Sequence, residues 1–115
     1  MTDLEQIRQC VDDFAAERDW DQFHSPKNLA MALAVEVAEL MEIFQWLSEE
    51  QSKALTPEQS AAVAHEIADI QVYLVRLADK LDIDIRSAVS AKMCINAEKY
   101  PADIVRGSAR KYSDY

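Results

Sequence analysis

A chain of 115 residues with one glycine, Gly107, and three prolines has few of the residues that tight turns demand. A fold of many short strands needs such a turn every few residues, whereas a few long helices need very few. Half of the residues are hydrophobic, enough for a core, and the length is that of one domain. The expectation is all-α.

Apolar spacing divides the chain into four helices. Thr2 and Glu5 have the spacing of a capping box, and Leu4, Ile7, Val11 and Phe14 then recur along one stripe, predicting a first helix to about Arg18. Asp19 to His24 breaks that period with mixed aromatic and polar residues. Ser25 and Pro26 supply an N-cap and a first-turn proline for a second helix to about Leu47. This helix is apolar nearly all round, as suits a central helix packed by several neighbours. After a polar stretch, Thr56-Pro57-Glu58-Gln59 repeats the capping logic and opens a third helix to about Leu81. Asp84 caps the fourth, whose stripe is Ile85, Ala88, Val89 and Met93, and Pro101 ends it. Residues 1–101 form the expected domain. Residues 102–115, with Arg106, Arg110 and Lys111 and only Ile104 and Val105 as adjacent apolar anchors, form a tail that frays or packs on a partner subunit.

The formal net charge of −9 disfavours nucleic acid or an anionic membrane as partner, since both are held by Lys and Arg. A phosphorylated small molecule remains compatible if a divalent cation mediates the contact. Cys10 and Cys94 show neither CxxC spacing nor disulfide density, and the N-terminus lacks a basic region followed by an apolar stretch. These features predict a reduced, cytoplasmic setting. The most apolar run, Leu29 to Leu47, contains Glu36, Glu39 and Glu42, each costly at a bilayer centre, and reads as a buried helix.

The acids on that helix are its anomaly. Glu36 and Glu39 are three apart and project from one face of a helix; Glu66 and Asp69 repeat the arrangement on the next. On antiparallel neighbours, four carboxylates would line one cleft, suited to Mg²⁺ or Mn²⁺. A chain with 21 Asp and Glu also produces such pairs by chance. Against chance stand the neighbours: Ala32, Leu33 and Leu40 flank Glu36, and Ala62, Val63 and Ile70 flank Glu66, with no Lys or Arg one turn away. Pattern alone leaves a metal site and a solvated acidic face both open. A carboxylate-bridged di-iron bundle is disfavoured, because it calls for Glu-x-x-His pairs and His65 directly precedes Glu66.

The pattern Glu36-Val37-Ala38-Glu39 followed by Glu66-Ile67-Ala68-Asp69 resembles the ExxE and ExxD motifs of the MazG-like nucleotide pyrophosphohydrolases, in particular the dCTP pyrophosphatase-like branch. Arg18 to His24, Asn28-Leu29, Phe44-Gln45-Trp46, Asp69 to Leu74, Lys92 to Asn96 and Lys99-Tyr100-Pro101 resemble the same branch, in order. Alanine and valine stand where glycines often flank the first motif. The resemblance implies a four-helix bundle-like all-alpha NTP pyrophosphatase fold completed by oligomerisation, as a homodimer or homotetramer. It implies Mg²⁺-dependent cleavage of a nucleoside triphosphate, dCTP or a related nucleotide, between the α and β phosphates, as nucleotide-pool house-cleaning. Glu36, Glu39, Glu66 and Asp69 would be both metal ligands and catalytic groups. Trp20, His24, Trp46 and Tyr73 resemble residues that enclose base and sugar; Lys92 and Asn96 resemble phosphate or nucleotide contacts. Each also has a plain structural reading: Trp46 and Tyr73 as packing, His24 as a loop hydrogen-bonder, Lys92 and Asn96 as solvated. The non-enzymatic alternative is an acidic helical interaction module.

Overall fold

The computed structural model describes residues 3–110 and 112–114, and among them there are helices and turns but no strand. The helices are α1 (Leu4–Glu17), α2 (Pro26–Phe44), α3 (Glu49–Ser52), α4 (Pro57–Lys80), α5 (Ile85–Lys99) and α6 (Ala102–Val105), with 3₁₀ turns at Asp21–Phe23 and Tyr112–Asp114. The all-α expectation holds. No helix among the described residues is long and apolar enough to cross a membrane.

Local chemistry explains the starts. Ser25 Oγ accepts from the Asn28 N–H at 3.1 Å with Pro26 in the first turn of α2, and Asn28 Nδ2 donates back to the Phe23 carbonyl at 3.1 Å. At α4, Thr56 and Gln59 form a reciprocal capping box. At α1 the N-cap is Asp3, whose carboxylate accepts from the Gln6 N–H at 2.9 Å; the expected box of Thr2 with Glu5 rests on Thr2, which lies outside the described residues. α2 stops at Phe44 rather than Leu47, and Ser48 with Gln51 builds a further capping box that starts α3 within the stretch expected only to be polar.

The end of α1 is equally specific. Asp19 adopts the left-handed conformation at φ 55°, its N–H reaches the Ala16 carbonyl at 3.2 Å, and the Trp20 N–H reaches that of Ala15 at 2.9 Å. This is the Schellman arrangement, here with aspartate where glycine is commonest. The apolar contact that accompanies it is between Phe14 and Trp20, whose rings meet edge to face at 5.7 Å. Asp19→Val, which places a β-branched residue at positive φ, is expected to lower unfolding free energy by about 1–2 kcal/mol in a denaturant titration.

The chain divides into two compact units, Met1–Asp82 and Ile83–Tyr115. In the first, α4 rather than α2 is the central helix: it packs against both α1 and α2. Ala15, Leu29, Val75 and Ala78 are its buried apolar residues. α2 turns the stripe Leu29, Ala32, Leu33, Glu36, Leu40, Ile43 and Phe44 inward, and leaves Met31, Val35, Val37 and Met41 exposed. The helix expected to be surrounded is covered on one side only.

Besides packing, the unit is tied together by Arg76, 3% exposed, and by the ion pair of Arg8 on α1 with Asp79 on α4 at 3.7 Å. The Arg76 guanidinium donates to Asp12 on α1 at 2.7 Å, to Asp21 of the 3₁₀ turn at 2.9 Å and to Nδ1 of His24 at 3.1 Å. Lys80 also bonds Asp21. In the second unit, Asp84 caps α5 by accepting from the Arg86 and Ser87 N–H groups. The expected tail contains α6 and then Gly107 at φ 79°, a turn position open to glycine; Lys111 and Tyr115 lie outside the described residues.

Candidate metal and nucleotide site

Along α4 the inward stripe runs Gln59, Val63, Glu66, Ile70, Tyr73 and Leu77, so Glu66 stands in the middle of it as Glu36 stands in the middle of that of α2. The two helices pack together, and one carboxylate oxygen from each of Glu36, Glu39 and Glu66 lies within 4.8 Å of the others. Glu36 and Glu66 are half-buried, while Glu39 and Asp69, each three residues on, are exposed at the rim. Asp69 is outside this three-residue group, yet its charge reaches Glu36.

The groups that shift Glu36 are all acids, Glu66, Glu39 and Asp69, acting together with burial. Among the described residues, Oε2 of Glu36 and Oε2 of Glu66 are both buried without a hydrogen-bond partner. Two carboxylates facing one another hold acceptors only, so a donor must be a proton or a cation. The proton solution shows in Glu36, which is pushed up to about 7 by sharing a proton with Glu66, then by burial, then by Glu39 and the charge of Asp69. The cation solution satisfies the same oxygens without protonation, and an all-oxygen, all-carboxylate donor set suits a hard divalent ion. The residues present therefore fit Mg²⁺ or Mn²⁺.

The aromatic residues are placed at different distances from this cluster. Tyr73, half-buried, is two turns past Glu66 on the same face of α4, about 10 Å along the axis. Trp20 and His24 form one group: their rings are 6.5 Å apart, edge to face. His24 is pinned to α4 through Arg76 and pushed below its ordinary pKa by burial, then by Arg76 and Lys80, against the opposing pull of Asp21. Glu36 facing Glu66 and His24 facing Arg76 give α2 and α4 opposite directions. Trp46 therefore leaves the far end of α2 from His24, roughly 27 Å away by helix length.

Trp46 is 86% exposed, so the packing reading of this residue is overturned in the single chain. One chain does not bring Trp46 and His24 around one nucleoside. Lys92, exposed, and Asn96, half-buried, share one face of α5 in the second unit, where Asn96 Nδ2 approaches Met93 Sδ at 3.9 Å. The residue that spacing did not single out is Arg76. Its signal was a lone arginine between Val75 and Leu77 on a buried helix, legible only once Asp12 and Asp21 are known to face it.

A model of the MazG-like family matches residues 31–115. The chain is 48% identical to dCTP pyrophosphatase 1 of Mus musculus and 46% identical to that of Homo sapiens, in each case over 96% of this chain and 66% of the relative. It thus spans just under two thirds of the length of these curated relatives. A solved structure of a pyrophosphatase from Archaeoglobus fulgidus matches with a TM-score of 0.80 at 40% identity, covering 84% of this chain and 91% of that one.

Proposed function

This chain belongs to the MazG-like family, in the branch of the dCTP pyrophosphatase 1 proteins, and from that premise we propose that it hydrolyses nucleoside triphosphates to the monophosphate and pyrophosphate. The observation that carries the proposal is the pair of buried, unpartnered oxygens of Glu36 and Glu66 facing each other in the middle of two apolar stripes. Burial of such groups without compensation is costly, and a bound divalent cation is the compensation that also serves a triphosphate. An acidic interaction module needs exposed acids and leaves these oxygens unexplained.

Glu36, Glu39, Glu66 and Asp69 hold the metal in this reading. When bound, Mg²⁺ neutralises triphosphate oxygens and stabilises the charge that builds on them. A carboxylate of the cluster not engaged with the ion takes a proton from water as the water oxygen bonds to phosphorus. The bond to the oxygen bridging the α and β phosphates breaks, and pyrophosphate leaves. Trp20, His24 and Tyr73 enclose base and sugar, and Lys92 and Asn96 contact the nucleotide. Trp46 and the exposed apolar side of α2 are assigned to a second copy of the chain, in a homodimer or homotetramer. Residues 1–101 act as the catalytic domain, in the cytoplasm, on dCTP or a related deoxynucleotide, removing surplus or noncanonical nucleotides.

The experiment is a panel of ribo- and deoxynucleoside triphosphates with Mg²⁺, scoring monophosphate and pyrophosphate. Pyrophosphate from a cytosine deoxynucleotide is expected. Orthophosphate contradicts α–β cleavage, and no turnover of any nucleotide favours the interaction module. Glu39→Gln is expected to lower turnover at least a hundredfold while the helical circular-dichroism spectrum is retained; near-normal turnover removes Glu39 from the metal-binding set.

A further inference from the structure

Arg76 is buried to 3% exposure and draws on three residues from two separate segments, yet the acid cluster does not use it. Two of its nitrogens are met by carboxylates, as is ordinary for a buried arginine: Asp12 at 2.7 Å and Asp21 at 2.9 Å, with Asp79 3.8 Å away. The third, Nε, donates instead to a neutral acceptor, Nδ1 of His24, at 3.1 Å.

A guanidinium has five N–H donors and no acceptor, and it does not deprotonate in a protein. Nδ1 of His24 must therefore present a lone pair, and the proton of the neutral ring is on Nε2. Turning the ring over would set a carbon against the donor and lose the bond. Protonating both nitrogens would set N–H against N–H beside Arg76 and Lys80, with Asp21 already bonded to both of those cations. Trp20 closes edge-on against the same ring. Asn28, by bonding the Phe23 carbonyl, holds the loop carrying His24 to the first turn of α2.

We propose that Arg76 is a positioning residue for nucleoside recognition, holding His24 in the Nε2–H form so that the ring offers a single, directed donor to an acceptor atom of the base or sugar. The inference rests on the reading of His24 as a nucleotide contact. It adds what sets the sign of that contact: a fixed donor favours a carbonyl, ring nitrogen or sugar oxygen and rejects an amino or N–H group at the same place. The bond that serves specificity is that of Arg76 Nε to the imidazole, while Asp12 and Asp21 balance the charge of the buried guanidinium.

The test uses this 115-residue chain labelled with ¹⁵N-histidine, in which His65 is the only other histidine, together with steady-state kinetics on dCTP. Wild type is expected to show His24 at pH 7 with Nδ1 unprotonated and Nε2 protonated, before any nucleotide is added. Arg76→Lys, which keeps the charge and removes Nε, is expected to give a mixed tautomer and a KM raised about tenfold with kcat within about twofold. Asp12→Asn, which weakens another arm of the same guanidinium, is expected to keep both the tautomer and KM, although it costs stability. A protonated Nδ1 in wild type overturns the proposal, and that readout stands even if Arg76→Lys does not fold. An unchanged KM in a folded Arg76→Lys with mixed tautomer also overturns it. Absence of turnover in wild type with the expected tautomer is a different failure, that of the hydrolase reading.

Discussion

Glu36→Gln is expected to give a protein that is more stable without metal than the wild type and yet nearly inactive, with turnover lower on the order of a thousandfold. The two effects have one cause. In the metal-free chain, Glu36 faces Glu66 across a partly buried gap with Glu39 and the charge of Asp69 beside it, and two of the facing oxygens have no donor. A glutamine of the same shape removes one of the crowded charges, and its amide N–H₂ supplies a donor for Oε2 of Glu66. The same change deletes an anionic oxygen from the set available to a divalent ion. Thermal melts with and without Mg²⁺ check this directly: wild type gains stability from the cation, and Glu36→Gln starts higher and gains little. A melting temperature well below that of metal-free wild type would mean that Glu36 is held by partners other than its acid neighbours.

Cation affinity and metal-free stability are expected to move in opposite directions with pH. The Glu36 carboxyl, raised from 4.5 to about 7 in the folded chain, binds a proton more tightly folded than unfolded. The folded state therefore gains stability from that proton below the ordinary carboxyl range, and loses it as pH rises from about 4.5 through 7. Metal-free protein is thus expected to melt at a higher temperature at pH 5 than at pH 8. A divalent ion must displace that proton, so its apparent affinity is expected to fall roughly tenfold for each pH unit below 7. Saturating Mg²⁺ should abolish the decline in stability at alkaline pH. A metal-free melting temperature that rises steadily from pH 5 to pH 8 would contradict the protonated Glu36–Glu66 pair.

The acid pairs were legible in the sequence because three-residue spacing is a local property of a helix, and so were the caps at Ser25, Thr56 and Asp84, each made within three residues of itself. The half-burial of Glu36 and Glu66 was legible only in part: Ala32, Leu33, Leu40, Val63 and Ile70 do lie on the inward stripes, but Ala62, read with them, is exposed, and the pattern left a solvated face open. Four things were not. That α4 rather than α2 is central depends on how three helices share one surface, and an all-round apolar helix looks central whether a neighbour or a second copy covers it. The exposure of Trp46 follows from α2 ending at Phe44, where Ser48 and Gln51 start a competing helix. The Arg76 network joins residues separated by 52 to 64 positions, and no spacing rule reaches so far. The left-handed Asp19 was hidden for a smaller reason, that aspartate tolerates the place glycine usually marks.

The cation site at Glu36 and Glu66 is tested most directly by titrating this chain with Mn²⁺ at pH 7.5 and following free ion by electron paramagnetic resonance, in wild type and in Glu66→Gln. Wild type is expected to bind Mn²⁺ and to release it to excess Mg²⁺, and Glu66→Gln is expected to bind at least a hundredfold more weakly while remaining helical. Unchanged Mn²⁺ affinity in a folded Glu66→Gln would contradict a metal held between α2 and α4.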